Sequence, residues 1–73
     1  MLDAVGMNEI NRIFAVTDAM GIHREQLVIP LGTGKGRVRR MPSGKLEIIV
    51  DAEQPLDEWL LALPGLIRSA LGQ

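Results

Sequence analysis

Two adjacent stretches hold the residue types most able to do chemistry: the loop Gly32-Thr33-Gly34-Lys35-Gly36 and the basic run that continues from it. Glycines let backbone amides approach an anion, so such a loop suits a phosphate. The nucleotide-binding pattern, however, needs a glycine five positions before the glycine that precedes the lysine, and a Ser or Thr after the lysine. Ile29 and Gly36 stand at those positions here. The segment that follows reads as a strand, so no helix N-terminus would face the anion. The loop is therefore expected to be a mobile connector, with no cofactor.

The basic run is more distinctive. Lys35, Arg37, Arg39, Arg40 and Lys45 are five of the eight basic residues, and no acid interrupts 35–45. The rest of the chain sets three basic residues against nine acidic ones, a net of −6. The molecule is polarised although its formal net charge is only −1. Cations on a two-stranded ribbon can contact phosphates. With no stacking aromatic in the run, single-strand binding is disfavoured. A solvated strand edge is the plain and preferred reading of the run; an acidic protein partner or self-contact comes next, ahead of nucleic acid.

Catalytic and metal chemistry find little support. His23 is the sole histidine and there is no cysteine, so the usual zinc ligand sets are missing. Asp51, Glu53, Asp57 and Glu58 gather before a helix, where carboxylates serve capping and the helix dipole. Ser43 reads as a turn residue and Ser69 as a polar helix residue, and neither has a base placed beside it. No catalytic, cofactor or metal residue is assigned, and a non-enzymatic protein is expected.

These residues are positioned by three elements. Over 8–20, Ile10, Ile13, Phe14, Thr17 and Met20 share one helical face with Val16 at its border. Asn8 is the expected N-cap and Gly21 the stop. Over 36–51 a β-hairpin is expected, its turn set by Pro42 and Gly44. That turn pairs Arg40 with Leu46, Arg39 with Glu47, Val38 with Ile48 and Arg37 with Ile49. Alternation then sends Val38, Leu46, Ile48 and Val50 to the core, and Arg37, Arg39, Met41, Lys45, Glu47, Ile49 and Asp51 outward. The run Leu27-Val28-Ile29-Pro30-Leu31 is expected at a sheet edge or outside the sheet, because Pro30 has no amide to give a ladder.

The last element spans 55–71. Leu56, Trp59, Leu60, Leu63, Leu66, Ile67, Ala70 and Leu71 fall on one stripe only if a helix runs through Pro64. One kinked helix is therefore preferred to two short ones. Leu61 lies off that stripe and joins Arg37, Arg39, Met41, Lys45 and Ile49 as the candidate interaction surface.

The expected fold is thus α+β: an N-terminal helix, a small antiparallel sheet centred on the hairpin 36–51, and a C-terminal kinked helix 55–71. Residues 8–73 form a single small domain, and 1–7 read as a frayed extension in which Met7 offers an alternative start. The order helix, hairpin, helix resembles the core of a family of small zinc metallopeptidases. Their helix carries HExxH, whereas this one reads Leu63-Pro64-Gly65-Leu66-Ile67-Arg68, so no ligand or catalytic residue carries over.

Bulk composition bears on association. A chain of 73 residues is near the lower limit for a self-sufficient core. It has no disulfide to brace it, and hydrophobic residues still make up 47% of it with only Phe14 and Trp59 aromatic. A homo-oligomer or a protein partner is expected to cover the surplus. Nucleic acid binding through 35–45 is the alternative function. No apolar run approaches the ~18–20 residues of a membrane span, so no membrane partner and a cytoplasmic location are expected.

Overall fold

The computed structural model describes residues 5–72. Helix α1 covers Met7–Ala19, a short 3-10 turn covers Arg24–Gln26, and strands β1, β2 and β3 cover Leu27–Val28, Lys35–Arg40 and Leu46–Asp51. Helix α2, Leu56–Ala70, ends the chain. The α+β class is as the sequence predicts.

Helix α1 begins earlier than expected. Gly6, not Asn8, is its N-cap, and the Ile10 amide donates to the Gly6 carbonyl at 3.0 Å. Glu9 reaches back to accept from the Gly6 amide at 2.7 Å, the side-chain half of a capping box that a glycine cap cannot reciprocate. The apolar spacing located the helix face but not its first turn, where Met7 is 67% exposed and packs on nothing that would mark the start. The C-terminal end is as predicted. Gly21 donates to Asp18 and Ile22 to Thr17, both at 3.0 Å, which closes the helix in a Schellman motif.

Part of the expected frayed extension belongs to the folded unit. Val5 is 5% exposed and joins the core, its amide donates to the Leu31 carbonyl at 2.8 Å, and Met7 opens α1. The remainder of that extension, residues 1–4, lies outside the described residues.

The hairpin forms in the predicted register, with Arg37 on Ile49, Val38 on Ile48, Arg39 on Glu47 and Arg40 on Leu46. Met41 donates to Lys45 and Gly44 to Met41, both at 2.8 Å, and Gly44 has φ +90°. A type I turn followed by a left-handed glycine matches the right-handed twist of the strands.

The sheet is mixed, not antiparallel. Among the described residues it has three strands in the order β1-β3-β2, and β1 runs parallel to β3, pairing Leu27 with Leu46 and Val28 with Glu47. The LVIPL run therefore does supply an edge strand, cut short before Pro30. Its direction follows from chain path, which local sequence does not encode.

The glycine loop is not a mobile connector. Gly34 donates to Val50 at 2.9 Å and accepts from Ala52 at 3.0 Å, which ties it to β3 on the β1 side, while the next residue, Lys35, pairs with Asp51 on the β2 side. The chain thus crosses the end of β3 in one step. Gly36 permits this: its φ is +57°, and a Cβ there would lie 2.4 Å from Asp51 Cβ. Any larger residue would collide with the strand it has just passed.

Helix α2 is one element through Pro64, and the kink expected there leaves no break in the helix. Pro55 sits at the N-cap, its carbonyl accepting from Trp59 at 3.1 Å. Trp59, Leu63 and Ile67 are buried and the other stripe residues half-buried. The helix lies across β2 and β3 with α1 beside it. Ile13, Leu46, Ile48, Val50, Trp59, Leu63 and Ile67 fill the core, with Thr17 buried among them. Thr17 Oγ1 donates to the Phe14 carbonyl at 3.2 Å, which satisfies the buried hydroxyl.

Candidate interaction face

Because α1 and α2 pack on one side of the sheet, no described element covers the other side. Strand β3 shows this directly: Leu46, Ile48 and Val50 are buried, while Glu47, Ile49 and Asp51 between them are half-buried. Alternation carries the open side across β2, where Lys35, Arg37 and Arg39 are exposed. The parallel pairing of Val28 with Glu47 adds Val28 from β1 to the same side.

The structure therefore brings together Arg37, Arg39 and Ile49 in the middle of the open side. Met41 and Lys45 flank the turn at one end of it. Leu61 does not join them. It is 84% exposed on the outward surface of α2, which packs on the opposite side of the sheet. Val28, Pro30 and Lys35 are additions to the candidate surface. Lys35 was visible in the basic run, but Val28 and Pro30 reach the face only through the parallel pairing of β1.

A groove of about 540 Å³ opens at the other end. Ile49 and Pro30 supply its apolar wall, residues 32–34 its rim, and Lys35 and Arg37 its charge. Gly34 packs so closely on Ile49 that a Cβ there would stand 3.0 Å from Ile49 Cγ2.

Charge on this face is largely uncompensated. Arg39 Nε donates to Glu47 Oε1 at 2.7 Å, the cross-strand pair expected from the register. Away from the hairpin, Arg12 pairs with Asp57 and Arg24 with Asp18. Among the described residues, Lys35, Arg37 and Lys45 have no carboxylate within ion-pair distance, and neither does Arg40, which the register puts on the helix side of the sheet opposite Leu46. The polarity legible in sequence is thus sharpened by folding, since two of the three cations outside the run are neutralised by local acids.

Asp51 does not offset the cluster in the way its charge suggests. Its carboxylate accepts from Gln54 Nε2 at 2.7 Å and from the Glu53 amide at 2.8 Å. Those two bonds, the Gln54 one foremost, hold its pKa below the ordinary carboxylate value. Asp51 is thereby committed to the turn that leads into α2.

A second depression, about 650 Å³, lies at the end of α1 beside Asp18, Ile22, His23 and Arg24. Arg24 is engaged there by Asp18 at 2.9 Å and stacks 4.5 Å from the Phe14 ring centroid. That guanidinium fastens the 3-10 turn to α1. Among the described residues no three His, Cys, Asp or Glu side chains gather in a metal-binding group, and no helix is long and apolar enough to cross a membrane.

No protein-family model, curated protein or solved structure matches this chain.

Proposed function

We propose that this chain is a non-enzymatic protein-interaction or self-association module whose contact surface is the open side of the sheet. The observation that carries the reading is the concentration of cations that have no ion-pair partner among the described residues, Lys35, Arg37 and Lys45, beside the half-buried apolar side chains of Val28, Met41 and Ile49. Interfaces combine apolar contact with arginine in this way. Leu61, alone on the far side of α2, is the candidate for a second contact. A cytoplasmic location belongs to the same reading and is supported by the absence of cysteine.

The test is the double variant Arg37→Glu/Arg39→Glu. Both side chains leave the sheet on its open side, so the circular dichroism spectrum should stay unchanged while association is lost. Light scattering at tens of micromolar reads self-association. Quantitative capture by immobilised wild-type and variant chains reads a partner. Unchanged mass together with unchanged capture would overturn the reading.

The second reading is nucleic acid binding by the ribbon 35–45, favoured by the same unpaired cations. It requires affinity that falls steeply with salt, and no binding to duplex or single-stranded oligonucleotides at about 50 mM salt would end it.

A further inference from the structure

Strand β2 is an edge strand, because the sheet order is β1-β3-β2. The hairpin closure determines which of its backbone groups are used. Met41 bonds to Lys45 across the turn, so alternation along an antiparallel ladder directs Arg39, Arg37 and Lys35 to β3. The amides and carbonyls of Val38 and Arg40 point the other way. Among the described residues, no backbone or side-chain group bonds to them. The edge is six residues long, the ordinary length of a strand, and Lys35, Arg37 and Arg39 stand along it on the open side.

We propose that this edge accepts an extended acidic segment of another protein, which adds to the sheet as a strand beside β2. The proposal rests on the interaction reading above and names the partner's chemistry. Charge complementarity selects the partner. A strand laid on β2 would place alternate side chains opposite Lys35, Arg37 and Arg39, where carboxylates are attracted and cations repelled. The residues between them would lie on the side of Val38, where β-branched apolar side chains fit.

The same geometry excludes a second copy as the occupant. A twofold pairing of β2 with β2 centred on Val38 sets Arg37 against Arg39. Centring it on Arg37 or on Arg39 opposes that residue to itself, and centring it on Gly36 sets Lys35 against Arg37. The other edge of a second copy, β1, has only two residues. Among the described residues the acids lie on helices, on turns and on the central strand β3, so these offer no free acidic strand from a second copy.

The probe is a blocked, fluorescent hexapeptide alternating Glu and Val, titrated onto the full chain by anisotropy and followed by amide hydrogen exchange. The expected result is binding that weakens with salt, with slowed exchange at Val38 and Arg40. N-methylation of one alternate set of peptide amides should abolish binding, and of the other set should spare it. Arg37→Glu/Arg39→Glu should weaken binding by at least about tenfold, because two attractive cross-strand pairs become repulsive.

Binding with no slowing at these amides, or with equal tolerance of both methylated sets, would overturn strand addition while leaving the open-side reading standing. Edge protection that is indifferent to the charge reversal would remove the open side and keep the edge. A Lys–Val hexapeptide binding as well as the Glu–Val one, or an oligonucleotide binding more tightly than either, would overturn the acidic protein partner.

Discussion

Gly36 shows how much one residue decides. Its left-handed backbone and its contact with Asp51 are separate obstacles to any side chain. Gly36→Ala should therefore destabilise the fold by roughly 1–3 kcal/mol, measured by urea unfolding. Asp51→Ala should not rescue it, because the Cβ at 2.4 Å remains. Asp51 itself makes a pH-dependent contribution. Its pKa is lowered in the folded state by the Gln54 and Glu53 bonds, so its stabilisation is complete above the ordinary carboxylate value and is lost as pH falls through the lower folded one. The stability difference between wild type and Asp51→Ala should be constant near neutral pH and close progressively in acid. A gap that widened in acid would contradict the assignment. In the sequence Asp51 reads as one of four acids before a helix. Its particular task depends on the turn that brings Gln54 back to it, which composition does not encode.

At the scale of elements, α2 joins a strong apolar pattern to a local defect. Pro64 has no amide for the Leu60 carbonyl and strains the preceding turn, yet the helix runs through it because Trp59, Leu63 and Ile67 are all buried on the sheet. Packing overrides propensity here. Pro64→Ala should raise stability by about 1–3 kcal/mol, less than the full propensity difference because the unfolded chain also gains freedom. Thermal melts would check this, and a loss of stability would mean that the proline ring contributes packing that outweighs its backbone defect. The hairpin behaves differently. Its turn residues, alternation and register agree with one another, and each residue pair forms as the turn chemistry predicts. The hairpin, whose signals are all local, was legible in its register. Strand β1 has a local signal only for being extended, and its parallel partner was not legible.

For the whole molecule, the decisive quantity is how little reserve a chain of 73 residues holds. Trp59 is the largest buried side chain, and its Nε1 has no hydrogen-bond partner among the described residues. An unpartnered buried donor costs about 1–3 kcal/mol. Trp59→Phe should thus cost less than its lost volume alone implies, since it removes that donor. Trp59→Ala should cost about 3–5 kcal/mol, enough to leave much of a small domain unfolded at room temperature. Circular dichroism and urea midpoints for the two variants test this directly. A loss in Trp59→Phe as large as its lost volume implies would show that the indole nitrogen carries no penalty.

What the sequence by itself determined is what short-range physics controls: the two helices and their buried faces, the hairpin with its register, and the concentration of positive charge between Lys35 and Lys45. Apolar periodicity, turn stereochemistry and charge spacing act over a few residues, so they can be read without coordinates. Only the tertiary structure decided which side of the sheet is covered and that β1 lies parallel to β3. It also decided that the glycine loop crosses the end of that strand, that Leu61 is separated from the basic face, and that β2 is left as an open edge. Each of these depends on where distant segments meet. That outcome is set by joint burial of the core and by the path the chain must take to achieve it.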